Sequence, residues 1–220
     1  MANVDHRKPH AELPPSWRYV LKDYEPDSTF HIYNRGRNRQ PIFTDDVDRA
    51  AFLDAFCCRL GPNMNADGRG RRVRSFADEV RLISYCLMPN HFHLVLHQSS
   101  TNGLTQLMHA AMTAYVRGFN HRHGRKGPLF TARFCAVKIN SRRQLQKTIA
   151  YVHANPPCPL EDPWSSHQLF MANRAARDVH WCRAELGLKT FGSRAAYLEQ
   201  LFDAINKRQK EISTPHQAAP

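Results

Sequence analysis

The chain has 220 residues, enough for one full α/β domain with an appendage and for a real core, which excludes the peptide and mini-protein classes. Apolar residues make up 42% and charged residues 23%, an ordinary globular balance. Membrane insertion and secretion are not expected, because no window holds the roughly 18 uninterrupted apolar residues of a span and Met1 to Lys8 lack an apolar signal core. Thirty-one Lys and Arg against nineteen Asp and Glu leave a formal charge of +12, which suits a polyanionic partner; charge spread over the surface for solubility is the other reading. The six Cys residues (57, 58, 86, 135, 158 and 182) include no Cys-x-x-Cys pair, so reduced thiols in a cytoplasm are expected.

Residues 1–27, with Pro9, Pro14, Pro15 and Pro26, read as an extended arm with one ordered patch at Trp17 to Tyr19. Phe30 to Asn34 alternates as a strand does, and Arg35-Gly36-Arg37-Asn38-Arg39 breaks it with a basic turn. Asp45 to Leu60 has helical spacing behind a capping start. The Gly-, Asn- and Arg-rich stretch 61–74 is a loop carrying Arg69, Arg71, Arg72 and Arg74. Leu82 to Leu87 and Phe92 to Leu96, joined through Met88-Pro89-Asn90, form a buried hairpin. Leu104 to Asn120 is a second helix, Cys135 to Ile139 a short strand, and Ser141 to Ala154 a third helix stopped by Pro156-Pro157.

The order βαββαβ predicts an α+β fold of ferredoxin-like or RRM-like type: an antiparallel sheet with helices on one face and the other face free for a ligand. Gln168 to Ala176, Ala184 to Leu188 and Ala195 to Lys207 read as further helices. The predicted organisation is an arm (1–27), a main domain (28–166), a helical C-terminal extension (167–210) and a disordered tail (211–220).

His91 and His93, two apart on a strand, leave the same face about 6.5–7 Å apart, while Phe92 between them enters the core. Such a pair can converge on one metal ion, or stand as polar residues on an exposed sheet face. His97 lies too far along the strand to join them. Tyr151 and Asn155 are one helical turn apart and share a face, so the carboxamide oxygen can serve as a third ligand with the phenol beside it; a half-buried helix tyrosine is the plain alternative. Two imidazoles and one carbonyl oxygen, without thiolate, suit Mg²⁺ or Mn²⁺. His153 points off that face, toward packing or a phosphate. Tyr115 is the rival phenol, but position 119 is Phe and no ligand amide shares its face.

Met88-Pro89-Asn90-His91-Phe92-His93-Leu94-Val95-Leu96, Tyr151-x-x-x-Asn155-Pro156, the run from Asn34 to Phe43, and Pro163-Trp164-Ser165-Ser166 occur in this order. Together they resemble the single-tyrosine HUH transposases, in their REP-associated branch, over about Thr29 to Ser166. The pattern departs at Pro157-Cys158-Pro159-Leu160, where the family often continues with a Val-Arg-Ala-Gly-like stretch. The resemblance implies a ferredoxin-like catalytic domain, a divalent metal on His91, His93 and Asn155, and Tyr151 as nucleophile. It also implies cleavage and transfer of single-stranded hairpin or repeat DNA through a 5′-phosphotyrosine link, in a monomer or homodimer associated with the nucleoid. Arg35, Arg37 and Arg39, then Arg69, Arg71, Arg72 and Arg74 of the long loop, then Arg122, Arg125, Lys126 and Arg133, and Lys138 on the last strand are the expected phosphate contacts, each cluster being equally readable as a solvated loop. Phe30, Tyr33, Phe130 and Phe134 are candidate base-stacking platforms, with core packing as the alternative. A non-catalytic, domesticated nucleic-acid binder is the second reading, and an RRM-like RNA binder the third.

Overall fold

The computed structural model describes residues 24–61, 70, 72–172 and 181–213. Most of the expected arm with its Trp17–Tyr19 patch, Arg69 and Arg71, residues 173–176 of the predicted fourth helix, and the tail from 214 lie outside the described residues. The elements are β1 (Ser28–Arg35), α1 (Asp46–Leu60), β2 (Val80–Met88), β3 (His91–Gln98), α2 (Gly103–Arg122), β4 (Cys135–Ile139), α3 (Arg142–His153), α4 (His167–Met171), α5 (Ala184–Phe191) and α6 (Arg194–Ser213). The strands form one antiparallel sheet in the order β2-β3-β1-β4, the expected α+β, ferredoxin-like arrangement. None of the described helices is long and apolar enough to cross a membrane.

Strand alternation decides which residues meet which layer. Phe30 and Ile32 of β1, Leu82 and Leu87 of β2, and Phe92, Leu94 and Leu96 of β3 point to one face, where α1 and α2 cover them with Phe52, Phe56, Leu107, Met108 and Tyr115. The opposite face was expected to be free. It is instead roofed on its β2 side: Ile83, Cys86, Met88 and Val95 pack with Ile149 and Val152 of α3, Phe170 of α4, and Tyr197 and Leu201 of α6. The apolar residues standing out of phase with the α1–α2 core require this second layer, since a solvated face would leave them exposed. The roof leaves His91, His93 and the outward residues of β1 at its margin.

Local chemistry sets the ends. The Asp45 carboxylate caps α1 by accepting from the Asp48 amide at 3.0 Å, and the Ser141 hydroxyl caps α3 by accepting from Gln144 at 3.1 Å. Pro163-Trp164-Ser165-Ser166 lies along β2: the Leu87 amide donates to the Trp164 carbonyl at 3.0 Å and the Ser166 amide to the Tyr85 carbonyl at 3.0 Å. The motif thereby closes one edge of the sheet, where unpaired backbone groups would otherwise invite another chain. Tyr24, inside the expected arm, is buried against Phe30 and Phe134, and α6 runs beyond residue 211, where the tail was expected to start.

Candidate active site

β1 and β3 pair so that Arg35 stands opposite His91 and Tyr33 opposite His93. His31, Tyr33, His91 and His93 leave the sheet on the face away from α1 and α2. The His91 and His93 rings meet edge to face with centroids 5.1 Å apart. The Asn90 amide nitrogen donates to the Arg39 carbonyl at 3.3 Å, which orients its oxygen toward His91 Nδ1 at 2.7 Å. That contact puts the His91 proton on Nδ1 and the lone pair on Nε2. His93 Nδ1 is 3.0 Å from His31 Nε2, and the two rings stack at 5.1 Å. His31 therefore holds the His93 ring in the way a metal-ligating imidazole is usually held, through its other nitrogen. His97 stands at the far end of the strand against Asp27, 3.4 Å away, as its spacing predicted.

α3 brings Tyr151 to this face. Ile149 and Val152 bury into the roof, and the Tyr151 ring lies edge-on to His93 at 5.5 Å and to His31 at 6.0 Å. Asn155, just past the helix end and almost fully buried, donates through Nδ2 to the Tyr151 carbonyl at 2.8 Å. Its Oδ1 accepts from the Arg208 guanidinium of α6 at 2.9 Å. Burial pushes the Tyr151 phenol above its ordinary value, while the Asn155 hydrogen bond and the charges of Arg208 and Arg35 pull it back. Burial is also the main reason that the Tyr33 phenol is raised.

The rival phenol sits elsewhere. Tyr115 is buried in the α1–α2 core, where its hydroxyl donates to the Ile42 carbonyl. His153 points into the roof: its Nε2 lies 2.7 Å from Ser166 Oγ and its Nδ1 2.8 Å from the Tyr197 hydroxyl, which also meets His167 Nδ1 at 2.6 Å. Packing is thus the role of this residue, and burial followed by the neighbouring His167 holds its pKa well below the ordinary imidazole value.

The basic residues divide. Arg35 is half-buried beside the phenol, and Arg37, Arg39, Lys126 and Arg133 are exposed. Gly36 turns the chain where any Cβ would meet the Gln40 carbonyl oxygen at 2.1 Å, and Asn34 ties the turn to the segment before β4 through the carbonyls of Ala132 and Arg133 at 3.0 and 2.7 Å. Arg37, Arg39 and Arg133 are so gathered beside β1. Arg122 departs from the expectation of a phosphate contact: it donates to Asp45 at 2.6 and 2.8 Å and to Asp48 at 2.6 Å, bolting α2 to the start of α1. Arg125 donates to Gln40 at 3.1 Å and lies over Phe119, while Lys138 pairs with Glu25. Of the proposed stacking platforms, Phe30, Phe130 and Phe134 are core residues, and Tyr33 alone of the four faces the site.

Two imidazoles tied at Nδ1 and a buried carboxamide oxygen are donors that fit a hard divalent ion with open positions. No three His, Cys, Asp or Glu side chains group as a metal-binding set among the described residues, so such an ion would depend on the neutral oxygen of Asn155. Sequence reasoning missed His31 and Arg208. His31 had a signal, since it is two residues before Tyr33 on an alternating strand; Arg208 had none.

Residues 73–155 match the family model described as IS200-like transposase. No curated protein matches the chain. A solved structure described as a REP-associated tyrosine transposase bound to a REP hairpin aligns at 16% identity with a TM-score of 0.47, over 72% of this chain and 87% of that one. His91, His93, Tyr151 and Asn155 all fall within the matched segment 73–155.

Proposed function

We propose that this chain is a DNA transesterase that cuts and rejoins single-stranded DNA through Tyr151. The observation that carries the reading is the Tyr151 ring packed edge-on to His93 at 5.5 Å, with Asn155 fastened to the same helical turn. Tyr151 Oη attacks the scissile phosphorus, the bond to the 3′-oxygen breaks, and the products are a 5′-phosphotyrosine and a free 3′-hydroxyl. Attack by a second 3′-hydroxyl on that link joins strands without ATP, because the phosphodiester energy is kept. The choice of hairpin or repeat DNA rests on the motif resemblance.

Each residue has a task. His91, His93 and Asn155 would hold Mg²⁺ or Mn²⁺, which when bound supplies positive charge against the non-bridging oxygens of the phosphate. Asn90 keeps the His91 proton on Nδ1, leaving Nε2 as its ligating nitrogen, and His31 holds the His93 ring in place at Nδ1. A buried phenol stays protonated near neutrality, so Arg35 and Asn155 favour the phenolate as its proton passes to water. Arg37, Arg39 and Arg133 bind backbone phosphates leading to the site. The test is incubation with labelled hairpin oligonucleotides and Mn²⁺, scored for a denaturation-resistant adduct. Tyr151→Phe abolishes the adduct and leaves oligonucleotide affinity within about twofold, while Tyr115→Phe retains it. An adduct that survives Tyr151→Phe refutes the assignment, and a wild-type chain that binds but never couples favours the non-catalytic binder.

A further inference from the structure

α6 sends a guanidinium into the site from a part of the chain that the motifs do not reach. Arg208 is half-buried, and its contact is the neutral Asn155 Oδ1 at 2.9 Å. Its charge reaches both the Tyr151 phenol and the fully buried Cys86 thiol of β2. Arg35 of β1 acts on the same phenol. Arg49, Arg122 and Arg183 settle on carboxylates, whereas Arg59, Arg125 and Arg142, like Arg208, donate to neutral oxygens, but of these four Arg208 is the one placed at Asn155 beside the Tyr151 phenol. Among the described residues Arg208 has no carboxylate partner. A half-buried guanidinium held by one neutral oxygen has further N–H donors to offer, and an anion is the natural acceptor for them.

We propose that Arg208 is a phosphate-binding residue of the active site, supplied by the C-terminal helix: its guanidinium takes a non-bridging oxygen of the scissile phosphate as Tyr151 attacks. The proposal rests on the transesterase reading above. A planar guanidinium presents five donors, so one N–H can remain on Asn155 while the adjacent edge binds a phosphate oxygen. The same contact sets up an antagonism. Asn155 Oδ1 is the oxygen a divalent ion would use, and two cations on one oxygen repel unless an anion lies between them. A phosphate in place removes that repulsion.

The test uses the full chain with Arg208→Ala and Arg208→Lys, each checked for an unchanged melting curve. Covalent adduct rate at saturating hairpin oligonucleotide, oligonucleotide affinity, and Mn²⁺ binding without DNA are measured in parallel. Arg208→Ala lowers the adduct rate about 100-fold, the scale of losing one donor to a developing oxyanion, and changes oligonucleotide affinity by less than about fivefold. Mn²⁺ binds Arg208→Ala as tightly as the wild type or more tightly, and Arg208→Lys recovers part of the rate. An adduct rate within about threefold of wild type overturns the proposal. So does a lost rate accompanied by weakened Mn²⁺ binding, because Arg208 would then only prop the carboxamide. Failure of the wild-type chain to form any adduct overturns the transesterase reading itself and Arg208 with it, a result distinct from an unaffected Arg208→Ala.

Discussion

Tyr197→Phe isolates the polar part of the roof. The ring is fully buried between Phe170 and Phe191, at centroid distances of 5.0 and 5.2 Å, and phenylalanine keeps those contacts. What disappears is one hydroxyl serving two imidazoles, His153 Nδ1 at 2.8 Å and His167 Nδ1 at 2.6 Å. One nitrogen loses a donor and the other an acceptor, with no water-sized gap created by removing one oxygen. Each orphaned buried group costs about 1–3 kcal/mol, so the pair loses about 3 kcal/mol in all. For a chain of this size that lowers the midpoint by roughly 6–12 °C. Thermal and urea melts at about pH 8, where ordinary imidazoles are neutral in both folded and unfolded states, read the effect without a protonation contribution. A shift below about 2 °C would refute the reasoning, since it would mean that the hydroxyl holds neither ring.

Burial keeps His167 below the ordinary imidazole value. Beneath about pH 6.5 the unfolded chain therefore binds more protons than the folded one, and stability falls on acidification by up to about 1.4 kcal/mol per pH unit. His167→Gln removes its share of that slope in urea melts taken at successive pH values and leaves the share of the buried His153. Burial pushes the Asp48 carboxyl up, but hydrogen bonds from Thr44, His123 and Arg122 outweigh it and hold it well below the carboxylate range. Its contribution is thus present above about pH 4 and lost as pH falls through the depressed value. Asp48→Ala removes the acceptor shared by Thr44, His123 and Arg122, of which Arg122 keeps Asp45, and costs about 1–3 kcal/mol by denaturant titration at neutral pH.

Elements whose determinants are local are legible in the amino-acid sequence. Alternation through His91-Phe92-His93 fixes both imidazoles on one face because successive strand residues point oppositely, and Ser141 with Pro156 frames α3 because a cap and a missing amide act within a turn of themselves. The spacing of Tyr151 and Asn155 likewise puts them on one helical turn whatever the rest of the chain does. None of this says which strand lies beside β3. His31 meets His93 through a pairing across 62 residues, and the register that makes it so is set by the whole sheet packing on α1 and α2. Arg122, to all appearances a loop cation, is claimed by carboxylates 77 and 74 residues earlier. Arg208 meets Asn155 across 53 residues because the out-of-phase apolar residues of β2 draw α3 and α6 into a second layer. The direction in which each side chain leaves its own element is a property of a few consecutive dihedrals and so is set locally; which side chains then share a site was decided by long-range burial, which no short window contains.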